Sequence, residues 1–216
     1  MTSALPPTGI VPPPPAGFDT AVTELAVGAQ LWRIHGAHFA GDQFNPGKGD
    51  TRFAPIGPER KRVPTAYAAS DFEAAVYETI FHDLDPAESF KTYPLDALAS
   101  VRCSVLRVSA PLQLRSFLAP DLMKLGVART QLIDTPAREY RDTRRWSAAL
   151  HQRHRDAHGM VWSSRAYPSA EAMLLFGDRV LPAALGVVLT TAIDDDPGLM
   201  ARFRQLAERS GVALVA

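Results

Sequence analysis

The feature that most constrains the fold of this chain is a series of short apolar runs with the length and patterning of β-strands, separated by turns and helical segments. Residues 101–108 alternate like a half-buried strand, and seven further runs have strand character. The apolar spacing predicts helices over residues 121–128 and 137–155, and Asp196-Pro197 has the pattern of a capped helix start. Many short strands mixed with helices, without an internal repeat or an evident linker, predict a single α+β domain. The other strand candidates are residues 31–34, 65–68, 112–114, 160–163, 172–176, 185–191 and 213–215.

One further helix has a clear sequence signal and starts near residue 70. Ser70 and Glu73 have the spacing of a capping box, in which each side chain satisfies an otherwise unpaired amide at the helix start. Phe72, Val76 and Ile80 recur at helical spacing and are expected to face the core. Glu78 lies off that apolar stripe, so its position in the helix alone would place it in water.

The charge balance argues against broad electrostatic attraction to nucleic acid or to an anionic membrane. Lys plus Arg number 23 and Asp plus Glu number 23, which leaves a formal net charge of zero. Hydrophobic residues make up 46% of the 216, the composition of an ordinary folded protein. We therefore expect no direct nucleic-acid binding and no membrane attachment, and any anion site must come from local clustering.

The cysteine content and the N-terminal segment indicate a cytoplasmic protein. Cys103 is the single cysteine, so it forms neither an internal disulfide nor a cysteine-based metal cluster, which fits a reducing compartment. Residues 1–20 are Pro-rich and lack the basic opening and continuous apolar core of a signal peptide. We expect them to form an extended tail, with residues 21–216 as the domain. The longest apolar stretch, residues 180–193, is too short to span a bilayer as a helix.

A set of short motifs, each unspecific alone, occurs in a characteristic order. The order is Leu31-Trp32-Arg33-Ile34, Thr51-Arg52-Phe53, Thr65-Ala66-Tyr67-Ala68-Ala69-Ser70, then Ala75 and Glu78, then Gly159-Met160-Val161-Trp162-Ser163-Ser164-Arg165 and Leu174-Leu175-Phe176. Taken together, over about residues 30–180, they resemble the RES domain, a family named for its arginine, glutamate and serine. The resemblance implies a fold similar to that of ADP-ribosyltransferase toxins, with mixed, mostly antiparallel short-strand sheets flanked by helices.

The resemblance also implies a function and a partner. RES proteins are toxins of bacterial toxin–antitoxin systems that degrade NAD+ by cleaving its nicotinamide–ribose bond, with inorganic phosphate (NAD+ phosphorylase) or water as the acceptor. NAD+ is then a substrate, phosphate is a candidate co-substrate, and no bound cofactor or metal is expected. The family pairs with a helix-turn-helix, Xre-like antitoxin that covers the active site. The oligomeric state stays open, a homodimer included.

The resemblance points to Arg33, Arg52, Tyr67, Glu78 and Ser164, and the chemistry of NAD+ asks for these residue types. Guanidinium groups such as those of Arg33 and Arg52 bind a pyrophosphate bidentately. An aromatic face such as that of Tyr67 stacks on the positively charged nicotinamide ring. Glu78 is expected to stabilise the oxocarbenium charge that develops on the ribose, and Ser164 to hydrogen-bond the nicotinamide amide or a phosphate. We thus expect Glu78, Arg33 and Tyr67 in catalysis, and Arg33, Arg52, Tyr67 and Ser164 in NAD+ binding.

Several alternatives stay open at this point. Ser163 lies in the same motif and competes with Ser164 for the functional role. A protein ADP-ribosyltransferase, or a non-catalytic partner-binding protein on the same fold, would carry the same motifs. His151, His154 and His158 share roughly one helical face, but no carboxylate or cysteine joins them at a recognised ligand spacing, so we expect no metal site.

Overall fold

The computed structural model describes residues 11–82, 84–85 and 87–216, in which runs of one to three strands are separated by helices. The strands are β1 (Val22–Leu25), β2 (Gln30–Gly36), β3 (Thr65–Ala69), β4 (Lys91–Pro94), β5 (Val101–Val108), β6 (Leu112–Ser116), β7 (Gly159–Ser163), β8 (Glu171–Phe176), β9 (Leu185–Thr191) and β10 (Val212–Val215). The helices are α1 (Phe72–Thr79), α2 (Ala119–Leu125), α3 (Arg129–Leu132), α4 (Tyr140–Arg153) and α5 (Pro197–Arg209). All eight strand runs and the four helices predicted from the sequence are present, and β1, β4 and the short α3 were not predicted.

Among the described residues, eight strands form one sheet in the order β1-β6-β7-β8-β3-β2-β5-β9, and β4 pairs with β10 separately. Neighbours in the large sheet run antiparallel except β6 and β7. The predicted fold class, α+β with a mostly antiparallel sheet and flanking helices, is confirmed.

The sheet is weakly joined at its middle, between β2 and β3. Their register holds a single pair, Trp32 opposite Ala69. By contrast, β2 pairs with β5 along its whole length, Gln30–Gly36, and β3 pairs with β8 over Thr65–Ala69. Because the ladder between β2 and β3 does not continue, the two halves of the sheet diverge there and leave room for a cleft.

The two helices α1 and α5 pack against each other and against the middle of the sheet. Phe72 of α1 and Phe203 of α5 are fully buried in one apolar cluster. Arg202 forms a bidentate ion pair with Glu73, at 2.7 and 2.9 Å, and lies over the rings of Trp32 and Phe72. These contacts fix the orientation of α1, which carries Glu78.

The start of α1 differs from the predicted capping box. Asp71, not Ser70, is the N-cap, and its carboxylate accepts a hydrogen bond from the Ala74 amide at 2.8 Å. The Ser70 hydroxyl instead accepts from the amide of Glu171 in β8, and Glu73 is engaged by α5. A carboxylate suits this position better than a hydroxyl because its charge also interacts favourably with the helix dipole. The Asp196 cap of α5 is confirmed, with bonds from the Gly198 and Leu199 amides.

The N-terminal segment was predicted to be an extended tail up to residue 20, and its first ten residues lie outside the described part of the chain. Residues 11–20 pack on the domain. Phe18 is 5% exposed and contacts the rings of Phe117 and Trp146. The Trp146 indole N–H donates to the carbonyl of Pro12 at 2.8 Å. The predicted boundary at residue 20 therefore does not coincide with a change in packing.

Truncation of Phe18 tests whether this segment belongs to the folded core. We expect Phe18→Ala to lower the free energy of unfolding by about 3–5 kcal/mol, because it leaves a cavity beside Trp146. Phe90→Ala is the matched control, since Phe90 is 75% exposed and its truncation should cost less than about 0.5 kcal/mol. Urea unfolding of both variants provides the comparison. Equal, small losses would show that the segment does not contribute to the core.

Candidate active site

A cleft of about 450 Å³ opens near the place where β2 and β3 diverge. Four residues singled out from the sequence line it together: Arg33 from β2, Arg52 from the loop before β3, Tyr67 from β3 and Glu78 from α1. They are separated by up to 45 positions along the chain, so the fold gathers them. The fifth, Ser164, is fully buried behind Glu78 and is not among the residues that line the cleft.

Arg33 presents a buried guanidinium to the cleft from the middle of β2. It is 6% exposed, and its Nη1 donates to the carbonyl of Gly41 at 2.8 Å. Burial lowers the pKa of Arg33 to about 10, an effect that the nearby Asp42 partly opposes. Because that value lies well above neutrality, Arg33 stays charged in the cell and is suited to an anionic ligand.

His35 follows Arg33 by two positions on β2 and also lines the cleft. Its Nε2 is 2.8 Å from the hydroxyl of Ser104, which in turn is 2.7 Å from the hydroxyl of Thr190. Burial lowers the pKa of His35, and the positive charges of Arg33 and Arg102 add to the effect. His35 is therefore neutral at pH 7 and is tied into the sheet.

One terminal nitrogen of the Arg52 guanidinium is hydrogen-bonded, and the other has no hydrogen-bond partner in the described part of the chain. Its Nη1 donates to both the carbonyl and the hydroxyl of Thr135, at 2.8 and 2.6 Å. The guanidinium carbon lies 5.1 Å from the centre of the Tyr140 ring. Among the described residues, Arg52 Nη2 is a buried nitrogen without a hydrogen-bond partner. The indole N–H of Trp162, another lining residue, is also buried and unpaired. Both nitrogens belong to residues that line the cleft, and no acceptor of the described residues satisfies either of them.

Tyr67 is oriented through its hydroxyl. The Phe53 amide donates to the Tyr67 oxygen at 3.0 Å, and the Thr51 oxygen lies at 3.0 Å. Because the Thr51 hydroxyl donates its own proton to the carbonyl of Ala54, the Tyr67 hydroxyl must donate to Thr51. Burial raises the pKa of Tyr67 to about 12, so the side chain is a neutral phenol at physiological pH. Anchored in this way, with its ring edge-on to Trp162, Tyr67 offers a fixed aromatic surface.

Glu78 stands in the last turn of α1, and two donors hold one of its oxygens. Oε1 accepts from the Ser164 hydroxyl at 2.7 Å and from the Arg165 amide at 3.0 Å. A carboxylate at the C-terminal end of a helix is opposed by the helix dipole, so these bonds offset an unfavourable placement. The structure thus gives Ser164 a contact with Glu78, where the sequence suggested a contact with the ligand. Its neighbour Ser163 is the last residue of β7, and no hydrogen bond joins its side chain to Glu78 among the described residues.

Several lining residues were not identified from the sequence as site residues. Tyr140, at the start of α4, has its hydroxyl 2.8 Å from Nε2 of His82, four positions after Glu78. Asp50 lies on the rim and pairs with Arg144 of α4. The quoted motifs contain four further lining residues, Ile34, Thr51, Thr65 and Trp162. Tyr140, His82 and Asp50 lie outside those motifs, and no sequence pattern singled them out.

The three histidines on α4 and after it have separate partners. His151 Nε2 lies 2.9 Å from Asp178, and His154 Nε2 lies 3.3 Å from the carbonyl of Phe18. Nδ1 of His158 accepts from the amide of Gln113 at 3.0 Å. In the part of the chain that the structure describes, no group of three or more His, Cys, Asp or Glu side chains is placed to hold a metal ion.

Within that same part, no helix has both the length and the apolar character that a bilayer crossing needs.

The anchor of Tyr67 can be tested by removing its hydroxyl. We expect Tyr67→Phe to lower the free energy of unfolding by about 1–3 kcal/mol, because the Phe53 amide then loses its acceptor in a buried place. Tyr93→Phe is the matched control: among the described residues no hydrogen bond involves its hydroxyl, so its loss should cost less than about 0.5 kcal/mol. Denaturant titration measures both. A Tyr67→Phe variant as stable as the control would contradict the anchoring role.

Comparison with known proteins supplies the family. Among curated protein sequences, no significant match was found. A chain in the crystal structure of the M. tuberculosis MbcT–MbcA toxin–antitoxin complex superposes with a TM-score of 0.61 at 14% sequence identity, covering 82% of this chain and 90% of that one. At that identity the likeness establishes the fold. The family model of the RES domain matches residues 30–195, which is most of the chain and includes every residue of the cleft named above. This protein therefore belongs to the RES domain family.

Proposed function

We propose that this protein is the toxin of a toxin–antitoxin pair and that it degrades NAD+ by cleaving the nicotinamide–ribose bond, with phosphate or water as the acceptor. The observation that carries the proposal is the joint presence, in one cleft, of a buried guanidinium with an unpaired N–H and a carboxylate whose position is fixed. The first is Arg52 and the second is Glu78. The cleft volume lies within the usual range for small-molecule sites.

The cationic part of the cleft suits the pyrophosphate of NAD+. Arg33 and Arg52 are both largely buried, and burial lowers the pKa of each, so each gains from a ligand that brings negative charge. Nη2 of Arg52 has its bonding capacity unused, and a phosphate oxygen would satisfy it. Bound in this way, the dinucleotide extends from the guanidinium groups towards Tyr67 and Glu78.

The carboxylate of Glu78 supports departure of nicotinamide. The bond between ribose C1′ and the pyridinium nitrogen breaks with its electron pair going to nicotinamide, which becomes neutral, while positive charge develops on the ribose. Glu78 stabilises that charge and accepts a hydrogen bond from a ribose hydroxyl, more strongly in the transition state than in the ground state. An acceptor oxygen then bonds to C1′ and releases a proton to solvent. Phosphate gives ADP-ribose that carries a phosphate on that carbon, and water gives ADP-ribose.

Ser164 acts through Glu78 in this scheme. Its hydroxyl and the Arg165 amide occupy Oε1, and this leaves the direction of Oε2 fixed relative to the cleft. Tyr67, with its hydroxyl anchored on the Thr51–Phe53 loop, offers its ring to the nicotinamide.

The proposed partner is an antitoxin that covers the cleft. The similar structure from M. tuberculosis is described as a toxin–antitoxin complex, which supports an antitoxin for this chain as well. We propose that it is a helix-turn-helix, Xre-like protein and that the pair acts in the cytoplasm.

Product analysis tests the proposed reaction. Purified protein incubated with NAD+ is expected to release nicotinamide, and mass spectrometry with and without phosphate identifies the acceptor. Glu78→Gln preserves shape but removes the charge, so turnover should fall at least about 100-fold. Glu208→Gln, an exposed change on α5, should leave turnover as in the parent chain.

Two other results of the NAD+ incubation would indicate a different function on the same fold. Label from NAD+ appearing on a protein band would indicate a protein ADP-ribosyltransferase, and NAD+ binding without turnover would indicate a non-catalytic binding protein. In cells, expression of the parent chain should arrest growth and Glu78→Gln should not. A folded protein that releases no nicotinamide under any phosphate condition contradicts the proposal.

A further inference from the structure

Arg129, the first residue of α3, lies behind the cleft, where the RES motifs quoted above assign no residue. Its Nε donates to both carboxylate oxygens of Asp134 at 3.1 Å. Its Nη2 donates to the backbone carbonyl of Ser164 at 2.8 Å, with a longer contact of 3.4 Å to the carbonyl of Arg165. Arg129 thus joins an acidic side chain to the turn that follows β7.

The peptide group that Arg129 contacts is the one that binds Glu78. The Ser164 carbonyl and the Arg165 amide belong to the same planar peptide unit. Arg129 donates to the oxygen of that peptide unit, and the N–H of the same unit, which belongs to Arg165, donates to Oε1 of Glu78 at 3.0 Å. An uninterrupted chain of hydrogen bonds therefore runs from Asp134 through Arg129 and one peptide group to Glu78. Each donor in such a chain polarises the next, so a cation on the carbonyl makes the amide a stronger donor.

The same short segment also supports Arg52. Thr135 follows Asp134 directly and accepts two hydrogen bonds from Arg52 Nη1, through its carbonyl and its hydroxyl. Residues 129–135 accordingly brace the cationic part of the cleft at one end and the carboxylate at the other. Among the described residues, the Arg129 side chain hydrogen-bonds Asp134 and the turn at residues 164–165, and it makes no hydrogen bond to Arg52.

We infer that Arg129 is a positioning residue for Glu78, which it orients through the peptide group between Ser164 and Arg165; this inference rests on the proposed function. The Arg129 side chain is 32% exposed and Asp134 is 28% exposed, so the pair lies at the surface and is not part of the core. Removal of the Arg129 side chain should leave the fold and the binding of NAD+ intact and should slow the chemical step.

A double-mutant cycle with Glu78 tests this inference. Arg129→Ala is expected to lower kcat about ten- to hundredfold with KM changed less than about twofold, because a displaced carboxylate loses transition-state contacts only. In the Glu78→Gln background the same change should cost less than about twofold, because the group through which Arg129 acts is already altered. The kcat of Arg129→Lys should lie between those of the parent and Arg129→Ala, since an ammonium group keeps the charge but lacks the planar, forked donor geometry of a guanidinium.

Arg138→Ala removes a nearby arginine that is 77% exposed and should behave like the parent chain. Equal losses from Arg129→Ala in both backgrounds, or a rise in KM alone, would overturn the inference, as would full activity of Arg129→Ala.

A measurement independent of turnover separates this inference from the proposed function. Hydrogen exchange of the Arg165 amide should be several-fold faster in full-length Arg129→Ala than in the parent, because the N–H becomes a weaker donor to Glu78. An unchanged exchange rate of the Arg165 amide would contradict the inference even if NAD+ is consumed. A faster rate in a protein that releases no nicotinamide would support the positioning role of Arg129 and contradict the proposed reaction.

Discussion

The site depends on the hydrogen bonds that the Ser164 hydroxyl and the Arg165 amide donate to Glu78. Nothing in α1 alone would keep that carboxylate in place, because it stands in the last turn, where the helix dipole disfavours negative charge. The strand order explains how the two donors reach Glu78. Both β3 and β7 run antiparallel to β8, so their C-terminal ends reach the same edge of the sheet. The helix that follows β3 and the turn that follows β7 are thereby brought side by side, 86 positions apart in sequence.

The second constraint is the interrupted ladder between β2 and β3. A sheet with a full ladder there would place Arg33 and Tyr67 on paired strands with no room between them. Instead the strands meet at Trp32 and Ala69 and then separate, and the cleft forms where they separate. Arg202 of α5 lies over Trp32 of β2 and pairs with Glu73 of α1, the helix that follows β3, so it links the two sides of the gap.

The sequence predicted most elements of the fold and the members of the cleft, but not their contacts. Strand and helix periodicity located β2, β3, β5 and α5 because each has an apolar face, whereas β1 and β4 are four-residue strands with little pattern. Arg33, Arg52, Tyr67 and Glu78 came from motif order and do line one cleft. The bond from Ser164 to Glu78 and the contacts of Arg129 escaped prediction because they join segments that are distant in the chain. The choice of Asp71 over Ser70 as cap depended on β8, which engages Ser70.

The central claim is that the two guanidinium groups, the phenol ring and the carboxylate contact one dinucleotide. The most direct measurement is a crystal structure of the Glu78→Gln variant with NAD+, in which the substrate survives long enough to be seen. We expect the pyrophosphate within hydrogen-bonding distance of Arg52 Nη2, the nicotinamide against Tyr67, and the ribose C1′ beside position 78. A dinucleotide bound outside the cleft, or one whose pyrophosphate contacts neither Arg33 nor Arg52, would contradict the account.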